Sequence, residues 1–266
     1  MDKLPQAQSE LREMDTLAAA DSPVHRLHPV CKLLVTVCYI ATVVSFSKYD
    51  FTGLVVMVLY PVLMFQAAGI PVGTCCYKLR FVLPLVCAVG LANPFLDRTP
   101  MLRLGLVTIT GGMISMVTLM LKGVFCLMAS FLLAATTSMD AICAALRQLR
   151  VPSMIVTMLL LTYRYIAVMM EEVSVMTVAY HLRAPGQKGV HYSAWGSFLG
   201  QLLLRSMDRA EELYSSMQLR GFGGEFWYAE VKKAGAGDVL YGVGALLLFA
   251  LCRRYNVAGL LGSWMM

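Results

Sequence analysis

Two short runs in this chain set an arginine between a leucine and a small residue: Leu182-Arg183-Ala184 and Leu219-Arg220-Gly221. Both close segments with helical periodicity. Pro185-Gly186 stops the first helix, and Gly221 suits the left-handed position that ends the second. Each arginine then sits in a last helical turn, where the macrodipole favours a cation by about 0.3–1 kcal/mol. An ordinary helix-terminal cation accounts for that much. A guanidinium that projects past its helix can also dock on a partner's carboxylates, with a bidentate geometry lysine lacks. Two such ends in one polar stretch favour the docking reading.

Other candidate chemistry is thin. His25 and His28 are three residues apart and could ligate a metal, but with Asp21 and Cys31 as the nearest carboxylate and cysteine they form no metal-site pattern. They are expected at the membrane interface ahead of the first span. His181 and His191 are isolated. No zinc-protease, nucleophile-elbow or phosphate-loop pattern occurs, and Gly111-Gly112 lacks the lysine that would follow in such a loop. No catalytic, cofactor or metal site is expected. The eight cysteines (Cys31, Cys38, Cys75, Cys76, Cys87, Cys126, Cys143 and Cys252) form no metal-type spacing and read as small buried hydrophobes in a reducing compartment.

The elements that must position these residues are membrane helices. The 266-residue chain is 58% hydrophobic and 14% charged, against about 45–50% and about 25% for soluble domains. Its mean hydropathy is +0.68. An all-α integral membrane protein in the lipid bilayer follows. The net charge of +6 reports cytoplasmic loops, and no basic run with interleaved aromatics supports nucleic-acid binding. Asp2, Glu10, Glu13 and Asp15 interrupt the N-terminus, so no signal peptide is expected there.

Four parts are expected: a cytoplasmic N-terminal tail over 1–25, four transmembrane helices within 26–137, a cytoplasmic coupling-helix region over 138–237, and a final span with the C-terminus over 238–266. The spans centre on 30–46, 51–68, 81–96, 112–135 and 239–251. Lys78 and Arg80, together with the cations of the long 138–237 stretch, place those loops inside and the C-terminus outside; Arg253 and Arg254 dissent. The run from Val151 to Met170 is oily enough for a sixth span. Arg164 in its middle favours a long helix lying on or under the membrane. Lys122 is the exception within a span and is expected to snorkel outward. The few other ionisable groups in the spans argue against an ion-conducting or proton-coupled chain.

The stretch 193–221 carries an apolar stripe through Leu199, Leu203, Ala210 and Met217, with Arg205, Asp208, Arg209, Glu211 and Glu212 on its other faces. That is an amphipathic helix, with Arg205–Asp208 and Arg209–Glu212 as opposite-charge pairs. Of the nineteen methionines, Met154, Met158, Met169, Met170 and Met176 line the earlier segment and Met207 and Met217 the later one. Flexible thioethers suit an adaptable packing surface.

Taken in order, these motifs resemble the transmembrane (T) component of energy-coupling factor transporters, in its CbiQ-type cobalt or nickel branch. The resemblance runs through Ser22-Pro23-Val24-His25-Arg26-Leu27-His28-Pro29, then Ala145-Leu146-Arg147-Gln148-Leu149-Arg150-Val151-Pro152, then Tyr163-Arg164-Tyr165-Ile166, and ends with Met217-Gln218-Leu219-Arg220-Gly221-Phe222. It implies five or six spans under a layer of crossed cytoplasmic helices. It implies that Leu182-Arg183-Ala184 and Leu219-Arg220-Gly221 each dock on one subunit of an ATP-binding-cassette ATPase dimer. It also implies a metal-type substrate-binding membrane subunit, a possible small accessory membrane subunit and the bacterial cytoplasmic membrane. Leu before each arginine resembles the metal branch; the vitamin-transporting branch often has Ala there. Ala184 departs slightly from the Gly or Ser of the first motif. The vitamin-type T component, and a stand-alone carrier or membrane enzyme, stay open as alternatives.

Overall fold

A computed structural model describes residues 3–47, 51–71, 100–104, 107–187, 189–224 and 235–254, with scattered positions between 73 and 91. The chain divides into two compact units. One joins Met1–Thr16 to Met139–Val231, and the other joins Leu17–Ser138 to Lys232–Met266.

The second unit holds α2 (Pro29–Ser45), α3 (Phe51–Val56), α4 (Leu59–Ala68), α5 (Gly111–Thr136) and α9 (Ala236–Arg254); α1 (Lys3–Ala18) precedes them. The architecture is all-α, as expected. A small antiparallel hairpin is the exception: β1 (Pro100–Leu104) pairs with β2 (Val107–Thr110), Leu104 opposite Val107. The β-branched Val107-Thr108-Ile109-Thr110 suits a pleated strand. Hydropathy alone does not mark it. Most of the expected third span, 81–96, lies outside the described residues. The described Val86 and Gly90 are helical and pack on α5, where a Cβ on Gly123 would meet Val86 Cγ1 at 2.6 Å. Only glycine permits that approach.

The core of this unit is aromatic. Tyr39 of α2, Tyr60 of α4 and Phe249 of α9 meet with ring centroids 4.8–5.4 Å apart, and Phe125 and Ala129 of α5 join the same buried cluster. The expected second span is broken between α3 and α4. Pro61 has no N–H to offer the carbonyl four residues back, that of Met57. Tyr39 replaces the missing donor: its hydroxyl donates to Met57 O at 2.9 Å. In an apolar core that carbonyl has no water to turn to.

The ends of these helices meet in a fixed way. Lys32, 4% exposed, donates from Nζ to Thr136 O at 2.7 Å, the last carbonyl of α5. His25 Nε2 lies 3.3 Å from Ala135 O and 2.9 Å from Leu17 O. Lys122 donates to Val44 O at 3.2 Å and Phe46 O at 2.5 Å, closing the end of α2. So α5 runs antiparallel to α2. The N-termini of α2 and α9 are joined by the His28 amide donating to Asp238 Oδ1 at 3.0 Å. At their far ends the Arg253 guanidinium stacks over the Phe46 ring at 5.1 Å. α2 and α9 therefore run the same way. Lys122 was expected to snorkel outward; its ammonium reaches the carbonyls that end α2.

The other unit contains α6 (Met139–Gln148), α7 (Ser153–Arg183) and α8 (Trp195–Leu219), with a short 3-10 turn at Tyr192–Ala194. α6 packs on α7 through Cys143, Val156 and Leu160. The turn between them closes with Arg150 N donating to Arg147 O and Val151 N to Leu146 O, which holds Arg150 at φ 63°. Pro152 then caps α7. Tyr163 ties α1 to α7 by donating to Asp15 Oδ1 at 2.6 Å. By length and composition α5, α7 and α9 can each cross a membrane, and Pro29–Ser45 and Gly53–Ala68 are shorter apolar helices. The charge of Arg164 within α7 is met by Asp140 at 3.1 Å.

Tyr39→Phe leaves Met57 O buried without its donor and is expected to destabilise the protein by about 1–3 kcal/mol. Pro61→Ala restores a backbone donor to the same carbonyl, so the double variant should recover most of that loss in a detergent unfolding series. Equal destabilisation of Tyr39→Phe with and without Pro61→Ala would count against the account.

Candidate functional site

Both arginine ends lie in the unit built from α6, α7 and α8. α7 continues unbroken for 31 residues because its first breakers after Pro152 are Pro185 and Gly186. Arg183 is its last residue. Ala184 leaves the helix at φ −126°, ψ 68° while its amide still donates to Tyr180 O. Arg183 is exposed, and Leu182 beside it is 78% exposed.

α8 ends differently. Gly221 N donates to Gln218 O at 2.9 Å and Phe222 N to Met217 O at 3.0 Å. This paired closure requires a left-handed residue between the two donors, and Gly221 supplies it at φ 81°. Leu219 is 90% exposed. Arg220 stands at the cap with its side chain in solvent. Among the described residues, neither Arg183 nor Arg220 is matched to a carboxylate. The two helices thus end by backbone bonds alone and leave their guanidinium groups facing out.

Between the ends, one ion pair links the helices. Arg205 of α8 pairs with Glu172 of α7. The Arg205–Asp208 pairing expected along α8 is replaced by this cross-helix contact, because Glu172 is half-buried and needs a counter-charge more than exposed Asp208 does. Arg209–Glu212 forms as expected at 3.4 Å. On one side of the helix pair an apolar groove of about 790 Å³ opens. Met154, Met158 and Met169 line one wall, and Leu213, Met217 and Phe222 the other. Of the methionines singled out in sequence, Met176 is buried instead, and Met207 is exposed. No residue of α8 is buried.

Sequence reasoning missed Tyr180. Its hydroxyl donates to Gln187 Oε1 at 2.8 Å and accepts from the His191 amide at 3.2 Å, folding the following loop back on the end of α7. No periodicity signals a bond from a helix to its own exit loop. His25 and His28 do not converge. The His28 ring nitrogen Nδ1 accepts from the Val30 amide and caps α2, while His25 serves the end of α5. Among the described residues no group of three or more His, Cys, Asp or Glu side chains could hold a metal ion. The described cysteines are free thiols.

The family profile described as the cobalt transport protein CbiQ matches residues 20–229. The cobalt transport protein CbiQ of Rhodobacter capsulatus is 32% identical over 111 residues, 41% of this chain and 45% of that protein. An uncharacterized protein of Methanocaldococcus jannaschii is 25% identical over 143 residues, 53% of this chain and 49% of that protein. The matched stretches span about half the length of each of these relatives. The family match takes in the pre-span histidines, the helices from α2 to α8 and both arginine ends, and the chain belongs to the CbiQ family of cobalt transport proteins.

Proposed function

We propose that this chain is the membrane coupling subunit of an energy-coupling factor importer for cobalt or nickel. It is non-catalytic, and ATP is hydrolysed by a partner ATPase dimer. One observation carries the reading: two long helices of one unit end in exposed arginines without carboxylate partners, each beside an exposed leucine. A guanidinium left in solvent at a rigid helix end can donate bidentate hydrogen bonds to a partner's carboxylate with little loss of freedom. The family name and the relative from Rhodobacter capsulatus support cobalt as cargo.

In this reading ATP draws the two ATPases together, and Arg183 and Arg220 move with them. Because Arg205 and Glu172 hold α7 to α8, displacement of the ends changes the helix crossing and the walls of the apolar groove. That groove and the exposed stripe on α8 face the substrate-binding membrane subunit, whose orientation the crossing controls. Adaptable methionines suit a surface that must accept more than one partner position. Region 138–237 is then the coupling layer, 1–25 a cytoplasmic tail, and the remaining segments the membrane anchor in the bacterial cytoplasmic membrane.

Arg183→Glu combined with Arg220→Glu should release the ATPase subunits when the tagged chain is purified in mild detergent, with each single reversal weakening retention. Recovery of an undiminished complex from the double variant would falsify the docking role. Gly221→Val forces a β-branched residue to φ 81°, at a cost of about 1–2 kcal/mol. Amide hydrogen exchange over 217–222 should rise by roughly an order of magnitude, ATPase retention should fall with it, and Gly221→Asn should lose less of both. Unchanged exchange in the valine variant would show that the turn does not hold Arg220 in place.

A further inference from the structure

The loop after Arg183 is built, and it displays an aromatic side chain that the chain's own fold does not use. Tyr180 grips the loop at Gln187 and His191. His191 Nδ1 then accepts from the Ser193 amide at 3.3 Å and caps the turn Tyr192–Ala194. Tyr192 is the first residue of that turn and is 91% exposed. Its base is fixed through His191 and Tyr180 to the last turn of α7, which also carries Arg183.

Charge sets this end apart. From Ser174 to Met207 the sequence contains no aspartate or glutamate, while His181, Arg183 and His191 fall inside that window. The Arg220 end is different: Glu211 and Glu212 precede it, and the aromatic that follows, Phe222, turns into the apolar groove. One end therefore offers an arginine, a leucine and a tyrosine within a stretch of sequence free of carboxylates. The other offers an arginine and a leucine.

We propose that the Arg183 end docks on the ATPase through two anchors, with Arg183 taking its carboxylates and the Tyr192 ring seated on an apolar shelf beside them. The Arg220 end docks through Arg220 and Leu219 alone, so the two ATPase subunits are held by unequal contacts. This rests on the docking reading above. Tyrosine and arginine are the residue types that most often dominate binding energy at interfaces. A loop already held in place loses little freedom on binding. A protein surface suits this end better than lipid, because the loop between Arg183 and Tyr192 is mostly polar or glycine and has no apolar run to bury.

The test uses the full chain in lipid nanodiscs and the ATPase pair that co-purifies with it. Tyr192→Ala should weaken ATPase binding roughly tenfold or more, and Tyr192→Phe should stay within about threefold because the ring is kept. A photo-crosslinking phenylalanine analogue at position 192 should form its adduct with an ATPase subunit. If Arg183→Glu with Arg220→Glu fails to release the ATPases, the docking reading itself is wrong. If that double variant releases them but Tyr192→Ala binds like the parent, or the crosslink goes to lipid or to a membrane subunit, the second anchor is overturned and the docking reading stands.

Discussion

A backbone carbonyl that loses its helical partner in an apolar setting must find another donor, and the membrane-helix unit is organised around that demand. Each solution uses a side chain from a neighbouring helix or segment. Tyr39 of α2 serves Met57, bared by Pro61. Lys32 of α2 serves Thr136, and His25 serves Ala135, both at the end of α5. Lys122 of α5 serves Val44 and Phe46 at the end of α2. A carbonyl left without a donor in such a place costs several kcal/mol. These bonds therefore fix how the helices are placed against one another as firmly as the aromatic cluster does. They also explain how a lysine can be 4% exposed: an ammonium among helix-terminal carbonyls sits where the dipole is most negative.

The unit that carries α7 and α8 follows the opposite rule. Its helix ends close on their own backbone, through Ala184 N to Tyr180 O and through the paired bonds around Gly221. Their terminal cations are left over. The cations spent inward are lysines, whose flexible stems reach a carbonyl and whose point charge needs no particular fork. The cations left outward are arginines, whose planar group gains most from a carboxylate that the described residues do not provide. That division of labour supports the docking reading better than the presence of arginine at a helix end alone.

Much of this was legible in the sequence where the signal is local. The unbroken course of α7 past Arg164 follows from the lack of any breaker before Pro185, and the left-handed exit at Gly221 follows from the only residue free to adopt it. The helix break before Pro61 and the partners of Lys32, Lys122 and Arg205 were not legible. Each depends on which helices become neighbours, and the donor stands far along the chain from its acceptor: 104 residues for Lys32 and Thr136, 76 for Lys122 and Phe46. Spacing rules along one helix gave Arg205 to Asp208; the crossing of two helices gave it to Glu172. The hairpin at 100–110 was hidden for a different reason, since short alternating strands carry far less hydropathy contrast than the spans on either side.

The same helix-end contacts set the parity of membrane crossings between α5 and α9. Hydropathy leaves α7 free to cross, since it is long and apolar enough. Yet α5 ends beside the N-terminus of α2, at Lys32 and Thr136, and α9 begins there too, at His28 and Asp238. The chain therefore leaves the membrane helices after α5 and re-enters them at α9 on one and the same face. A single crossing by α7 would deliver α9 to the opposite face and run it antiparallel to α2, which the stacking of Arg253 on Phe46 contradicts. Between α5 and α9 the chain therefore makes an even number of crossings or none.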